Sequence, residues 1–226
     1  MTQNSTALDR LLAVMSVRHP KFEVRFKDEP LPKWLRPVFW FQGLITKGFW
    51  SQYTTTVGTH VYFPSREYYE ESATRAFAVL AHEFVHIHDA AKCGKLVFAM
   101  RYLFPQLTVG LFGLLGLLGF AYAPLFMLFS LLIALAPWPA HWRVAYEKRG
   151  YQMSIIARTL MRQPNDAKLI RDCFTTSAYY WMSWNKDEIT AWVDDEILSA
   201  RANIANIDKL DQPYSDVYKA YTNVQG

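Results

Sequence analysis

The chain has 226 residues, with 24 Lys and Arg against 20 Asp and Glu, and 51% of it is hydrophobic. That length suits one well-filled core with room for an appendage. The net charge of +4 is small and unclustered, which argues against a nucleic-acid partner, and two cysteines without CxxC spacing argue against a disulfide framework. Free thiols in a reducing compartment are expected, and the first residues lack the basic and apolar regions of a cleaved signal peptide.

In chain order, residues 6–18 place Leu8, Leu11, Leu12 and Met15 at helical spacing, and His19-Pro20 ends the pattern. Residues 21–27 alternate strictly, Phe22, Val24 and Phe26 against Lys21, Glu23, Arg25 and Lys27, which predicts a half-buried strand. Residues 30–50 carry Trp34, Phe39, Trp40, Phe41, Phe49 and Trp50 among Lys33, Arg36 and Lys47. Aromatic packing and a membrane-interface belt account for that composition equally well. Residues 53–63 are rich in β-branched and aromatic types, with Gly58 as a candidate bulge and Pro64 as a stop, and predict a strand. An open edge on that strand could pair with an extended peptide. Ser65 as N-cap and Gly94 as C′ residue bound a predicted helix over 66–93.

That helix carries His82-Glu83-Phe84-Val85-His86. At 3.6 residues per turn the two histidines share a face, so both imidazoles can reach one ion. Glu83 is rotated by about 100° from His82, which puts its carboxylate beside the metal and near water held there. Imidazole donors suit zinc, Zn2+, as the cofactor. Phe77, Leu80, Phe84 and Ile87 supply a separate apolar face for the core.

Residues 102–142 contain no Asp, Glu, Lys or Arg, and Ala121-Tyr122-Ala123-Pro124 interrupts their apolar runs. Since one span uses about 20 residues, two crossings with a turn near Pro124 are expected. A shallow hairpin and a buried core hairpin are the alternatives. Lys92, Lys95 and Arg101 precede the run and Arg143, Lys148 and Arg149 follow it. Basic flanks at both ends predict an integral membrane protein with its active site on the cytoplasmic side and the lipid bilayer as a partner.

A catalytic zinc site uses three protein ligands and one open position. Continuing the motif on its own helix would need Gly in place of Asp89 and His in place of Lys92, so the third ligand comes from elsewhere. Glu147, in a helical stretch just past the apolar run, is preferred over Asp194, Asp195, Glu196 and His141. Beyond it, residues 166–184 read as helical, and Asn185 to Glu188 form a capping box for a helix to about Ala205. Tyr146, Tyr151, Tyr179 and Tyr180 are candidate oxyanion stabilisers, with Tyr180 and Tyr151 put forward.

His82-Glu83-x-x-His86 with a downstream helical Glu147 resembles the gluzincins, zinc metallopeptidases with two His ligands and one Glu. The resemblance covers residues 54–157. Without residues 102–142 the spacing is similar to the compact minigluzincins, and the apolar insertion is similar to the membrane-embedded heat-shock protease branch. That branch places Asp four residues after its ligand glutamate, where this chain has Tyr151, so the group that orients a ligand histidine must lie elsewhere.

The resulting expectation is an α+β fold, a mainly helical zincin-like domain with a small sheet and an inserted transmembrane hairpin. Residues 1–101 hold the first motif, 102–142 the hairpin, and 143–226 the helical remainder with the third ligand. The expected activity is peptide-bond hydrolysis on a peptide or protein substrate, with Glu83 as general base. The alternative is a membrane-anchored metal-binding or interaction protein without turnover. Cleavage specificity and oligomeric state are open.

Overall fold

The computed structural model describes residues 3–46, 48–105, 139–176 and 182–223. The first helix, α1 (Gln3–Arg18), buries Ala7, Leu8, Leu11 and Met15, which recur along one face at helical spacing. Strand β1 (Glu23–Phe26) follows and runs parallel to β3 (His60–Phe63). Strand β2 (Thr55–Val57) pairs antiparallel with the other side of β3, giving the order β1-β3-β2. The single strand expected over 53–63 is therefore a hairpin. Gly58, at φ +67°, reverses the chain there rather than forming a bulge.

Lys27 is buried to 4% exposure although it lies on the polar side of the alternation. Its backbone N–H still donates to the Phe63 carbonyl at 2.9 Å, and its side chain shares the face of Tyr62, which Phe39 and Phe49 cover. Its Nζ donates to the carbonyls of Phe49 and Tyr53, both at 2.7 Å, and lies 3.6 Å from the Phe49 ring centroid. Helix α2 (Arg36–Ile45) buries Phe39 against Phe49 and Tyr62 in an edge-on aromatic cluster. Trp34, Val38, Trp40 and Leu44 of the same region are exposed.

The helix expected over 66–93 is broken near its start. Ser65 caps the short α3 (Arg66–Glu70), and Ser72 opens a new helix, α4 (Ala73–Cys93), by accepting the Arg75 N–H at 3.2 Å. Gly94, at φ +90°, ends α4 and turns the chain back into α5 (Lys95–Leu103), which lies against α4. After the undescribed stretch come α6 (His141–Leu160), α7 (Ala167–Thr175), α8 (Lys186–Ala205), a 3₁₀ turn (Ile207–Lys209) and α9 (Gln212–Thr222).

Helix α4 is the axis of this arrangement, packed along α6 on one side and against α1 and α9 on the other. Phe77, Leu80 and Phe84 of α4 meet Leu11 and Met15 of α1, Met153 and Ile156 of α6, and Val217 of α9 in one core. A second cluster joins Ile155 of α6 to Phe174 of α7 and to Ile189 and Val193 of α8. Polar ties secure the same crossings. Arg149 of α6 forks onto Asp89 of α4 with two bonds of 3.0 Å and reaches Asp211 at 2.8 Å, and Tyr214 donates to the Arg149 carbonyl at 2.9 Å.

The chain is mostly helical with a small three-stranded sheet. The expected fold class is corrected in one respect, since the inserted transmembrane hairpin is not supported. No helix among the described residues is long and apolar enough to cross a membrane. Both ends of the 102–142 run belong to helices of the domain: Tyr102 closes α5 and is bonded to Glu147, while His141 and Trp142 open α6. Lacking Asp, Glu, Lys and Arg, both ends fall within the expected hairpin, and helical packing in the domain claims them instead. The middle of the run, 106–138, lies outside the described residues. With the hairpin go the integral-membrane location, the cytoplasmic-face placement of the site and the membrane character they implied.

Candidate metal centre

The packing of α4 against α6 sets the site. His82 and His86 stand one turn apart on α4 and Glu147 faces them from α6, and one donor atom from each lies within 4.8 Å of the others. The Nε2 atoms of the two histidines are 3.0 Å apart, His82 Nε2 is 3.5 Å from Glu147 Oε2, and His86 Nε2 is 3.8 Å from Glu147 Oε1. Tetrahedral zinc with ligand bonds near 2.0–2.1 Å needs donors about 3.4 Å apart. The three separations, two of them to different oxygens of Glu147, bracket that figure.

Second contacts suit the tautomer in which Nε2 of His82 faces the other two donors. Ser154, two turns beyond Glu147 on α6, donates its hydroxyl to the Gly150 carbonyl at 3.3 Å, so its oxygen accepts from His82 Nδ1 at 3.1 Å. In that arrangement the proton of His82 sits on Nδ1 and the Nε2 lone pair points at His86 and Glu147. Two imidazole lone pairs and a carboxylate facing one point repel unless a cation stands between them, so the donor set fits a metal ion. His86 Nδ1 is buried and has no hydrogen-bond partner among the described residues. Ser154 supplies the orienting group that Tyr151 cannot, since the Tyr151 ring meets His82 edge-on at 4.9 Å and 85°. Ser154→Ala is expected to lower metal affinity about tenfold, read by competition with a chromophoric chelator. An unchanged affinity would remove Ser154 from the site's support.

Burial is nearly complete: Glu147 is 2% exposed and His86 is 7% exposed. Burial pushes His86 down to about 4, which keeps it neutral and ready to donate. On Glu147 burial acts upward, but the His82 hydrogen bond and the His86, His82 and Arg143 charges outweigh it and hold the carboxyl at about 2. On His82 burial acts downward and is outweighed by Glu147 and Glu83, so its net shift is upward. Glu83 is half-buried, and burial raises it above the usual carboxylate range against the opposing pull of the His82 and Lys27 charges. Lys27 is itself lowered to about 7 by burial. Thr56 of β2 is a polar neighbour of Glu83, which places that edge strand beside the site.

Gly150 makes the helix crossing possible. A Cβ there would lie 2.6 Å from His82 Nε2 and 2.7 Å from Cε1, closer than any side chain permits. Tyr102 of α5 closes the other side by donating its hydroxyl to Glu147 Oε1. Its phenol is pushed up by burial and by the Glu147 charge and stays neutral.

The competing third ligands lie elsewhere. Asp194 is exposed on α8, 3.6 Å from Arg171, and Asp195 and His141 are exposed as well. Glu196 is buried, but its Oε1 accepts from Gln152 and Asn203 at 2.7 and 2.8 Å. Tyr180 and Tyr179 lie outside the described residues. Sequence reasoning missed Ser154, Gly150, Tyr102 and Lys27. The first two did carry a signal, being seven and three residues after Glu147 and so on its helical face.

No family model, no curated protein and no solved structure matches this chain. No match lends weight to the peptidase reading, which rests on the site's own geometry.

Proposed function

We propose that the chain is a zinc-dependent hydrolase of peptide bonds, with the metal held by His82, His86 and Glu147. One observation carries the reading: three donors from two helices converge within 4.8 Å, and the next residue after the first ligand is a carboxylate with a raised pKa. A site with only a structural task would have no use for Glu83. When bound, zinc would supply Lewis acidity to the scissile carbonyl and acidity to water. The remaining work falls to the chain. Glu83 takes one proton from the attacking water as the carbon–oxygen bond forms and delivers it to the departing amine nitrogen as the carbon–nitrogen bond breaks. Strand β2 is an edge of the described sheet and lies beside Glu83, a placement suited to pairing an extended peptide backbone across the site. This supports a peptide over a compact substrate.

The test has two parts. Purified protein is expected to hold one zinc per chain and to cleave an unstructured protein substrate, with loss of cleavage in chelator and recovery on zinc addition. Glu147→Ala is expected to lose metal, while Asp194→Ala and His141→Ala retain it. Equal occupancy in all three variants would move the third ligand. Full zinc occupancy with no cleavage across a diverse peptide library would leave a metal-binding protein without turnover.

A further inference from the structure

We propose that Tyr102 decides how many oxygens Glu147 gives to the metal, by occupying Oε1 and leaving Oε2 as the single ligating atom. The inference rests on the metal-site reading above. Tyr102 is in the last turn of α5, and α5 reaches the site because Gly94, at φ +90°, folds the chain back directly after α4. The phenol is fixed in place from several directions. Its ring stacks on Phe98 at 5.5 Å and 22°, meets the edge of His86 at 6.0 Å and 74°, and lies 4.9 Å from the Arg143 guanidinium.

A core tyrosine at a helix end can satisfy its hydroxyl with a backbone carbonyl or with water. This one donates to a carboxylate oxygen of the ligand itself, Glu147 Oε1. A carboxylate with both oxygens free can bind a metal through both, which fills the position that substrate chemistry needs open. An O–H donor on one oxygen draws its electron density away and leaves the other as the stronger donor. The other oxygen, Oε2, carries no tyrosine hydroxyl and faces His82 Nε2 at 3.5 Å, while Oε1 lies 3.8 Å from His86 Nε2. Ser154 sets the tautomer of one ligand, and Tyr102 sets the binding mode of another. Tyr102 is in this sense a positioning residue.

The measurement is the visible absorption of the full chain loaded with Co2+, whose bands weaken and shift when coordination rises above four. Tyr102→Phe keeps the ring and removes only the hydroxyl, so Oε1 becomes available. Its Co2+ spectrum is expected to lose intensity, and its Co2+ affinity to fall about tenfold. In a Glu147→Gln background the same Tyr102→Phe change should leave the spectrum as it is, because an amide offers one oxygen. A Tyr102→Phe spectrum superimposable on the wild type overturns the inference, whatever the affinity does, provided Glu147→Ala alters Co2+ binding. If Glu147→Ala binds Co2+ as the wild type does, or the wild type takes up none, the metal-site reading falls and the inference falls with it.

Discussion

Glu83→Gln is expected to retain its zinc and to lose hydrolysis by about 10²–10⁴-fold, the usual worth of a positioned general base. The amide has nearly the volume of the carboxylate and cannot accept and release the proton. Glu83 lies outside the set of donors that converge on one point, so the change should leave metal content at the wild-type level. The contrast with the ligands is what gives the experiment force. His82→Ala and His86→Ala should lose metal and activity together, whereas Glu83→Gln should separate them. A Glu83→Gln protein that is fully loaded and cleaves at the wild-type rate would show that the base is another group. Loss of zinc from it would instead make Glu83 a ligand.

Arg149→Met is expected to lower stability by about 3 kcal/mol, with the protein held in chelator so that metal binding does not mask the change. The reason is what the substitution leaves behind. The Asp89 side chain is 8% exposed and receives both of its charge-assisted hydrogen bonds from the Arg149 fork, at 3.0 Å each. Without the guanidinium a buried carboxylate loses its compensating charge in the middle of the α4–α6 contact. Removing one partner of a fully buried pair costs about 3–5 kcal/mol, and the 34% exposure of the Arg149 side chain places this case at the lower end. In a domain of this size that corresponds to a fall in Tm of about 6–12 °C. Asp211→Asn serves as the control. It removes the outer partner, whose side chain is 41% exposed, and should cost no more than about 1 kcal/mol. Comparable losses in the two variants would mean that the buried Asp89 is not the source of the effect.

What could be read from the chain alone follows from how local each feature is. His82 and His86 were legible because one helix turn is enough to bring them together. Glu147 was reachable by counting ligands and by its place on a helix just past the apolar run. Ser154 and Tyr102 depend on how α4 crosses α6 and on where α5 goes after Gly94, and no periodicity reports a crossing. The burial of Lys27 was not legible because the polar side of β1 is itself covered there by Phe39 and Phe49, where the Phe49 and Tyr53 carbonyls receive the ammonium. The helix break at Ser72 was hidden for the opposite reason: the apolar spacing continues through it, and only the cap bond to Arg75 marks the new start. An uncharged composition gave no means of seeing that α5 extends to Leu103 and α6 begins at His141.

Gly150 has a consequence for how this architecture can vary across evolution. The imidazole of His82 lies where any side chain at position 150 would stand, so a larger residue there would force the helices apart or turn the histidine out of the site. The constraint can be read without a structure, as Glu-x-x-Gly-x-x-x-Ser over residues 147–154. A chain that keeps His-Glu-x-x-His but carries Val or Leu at the glycine position would have to displace the His82 imidazole, and with it the convergence of the three donors. On the proposed metal-site reading, the second helix would thus carry a mark of the site beside the one in the first motif.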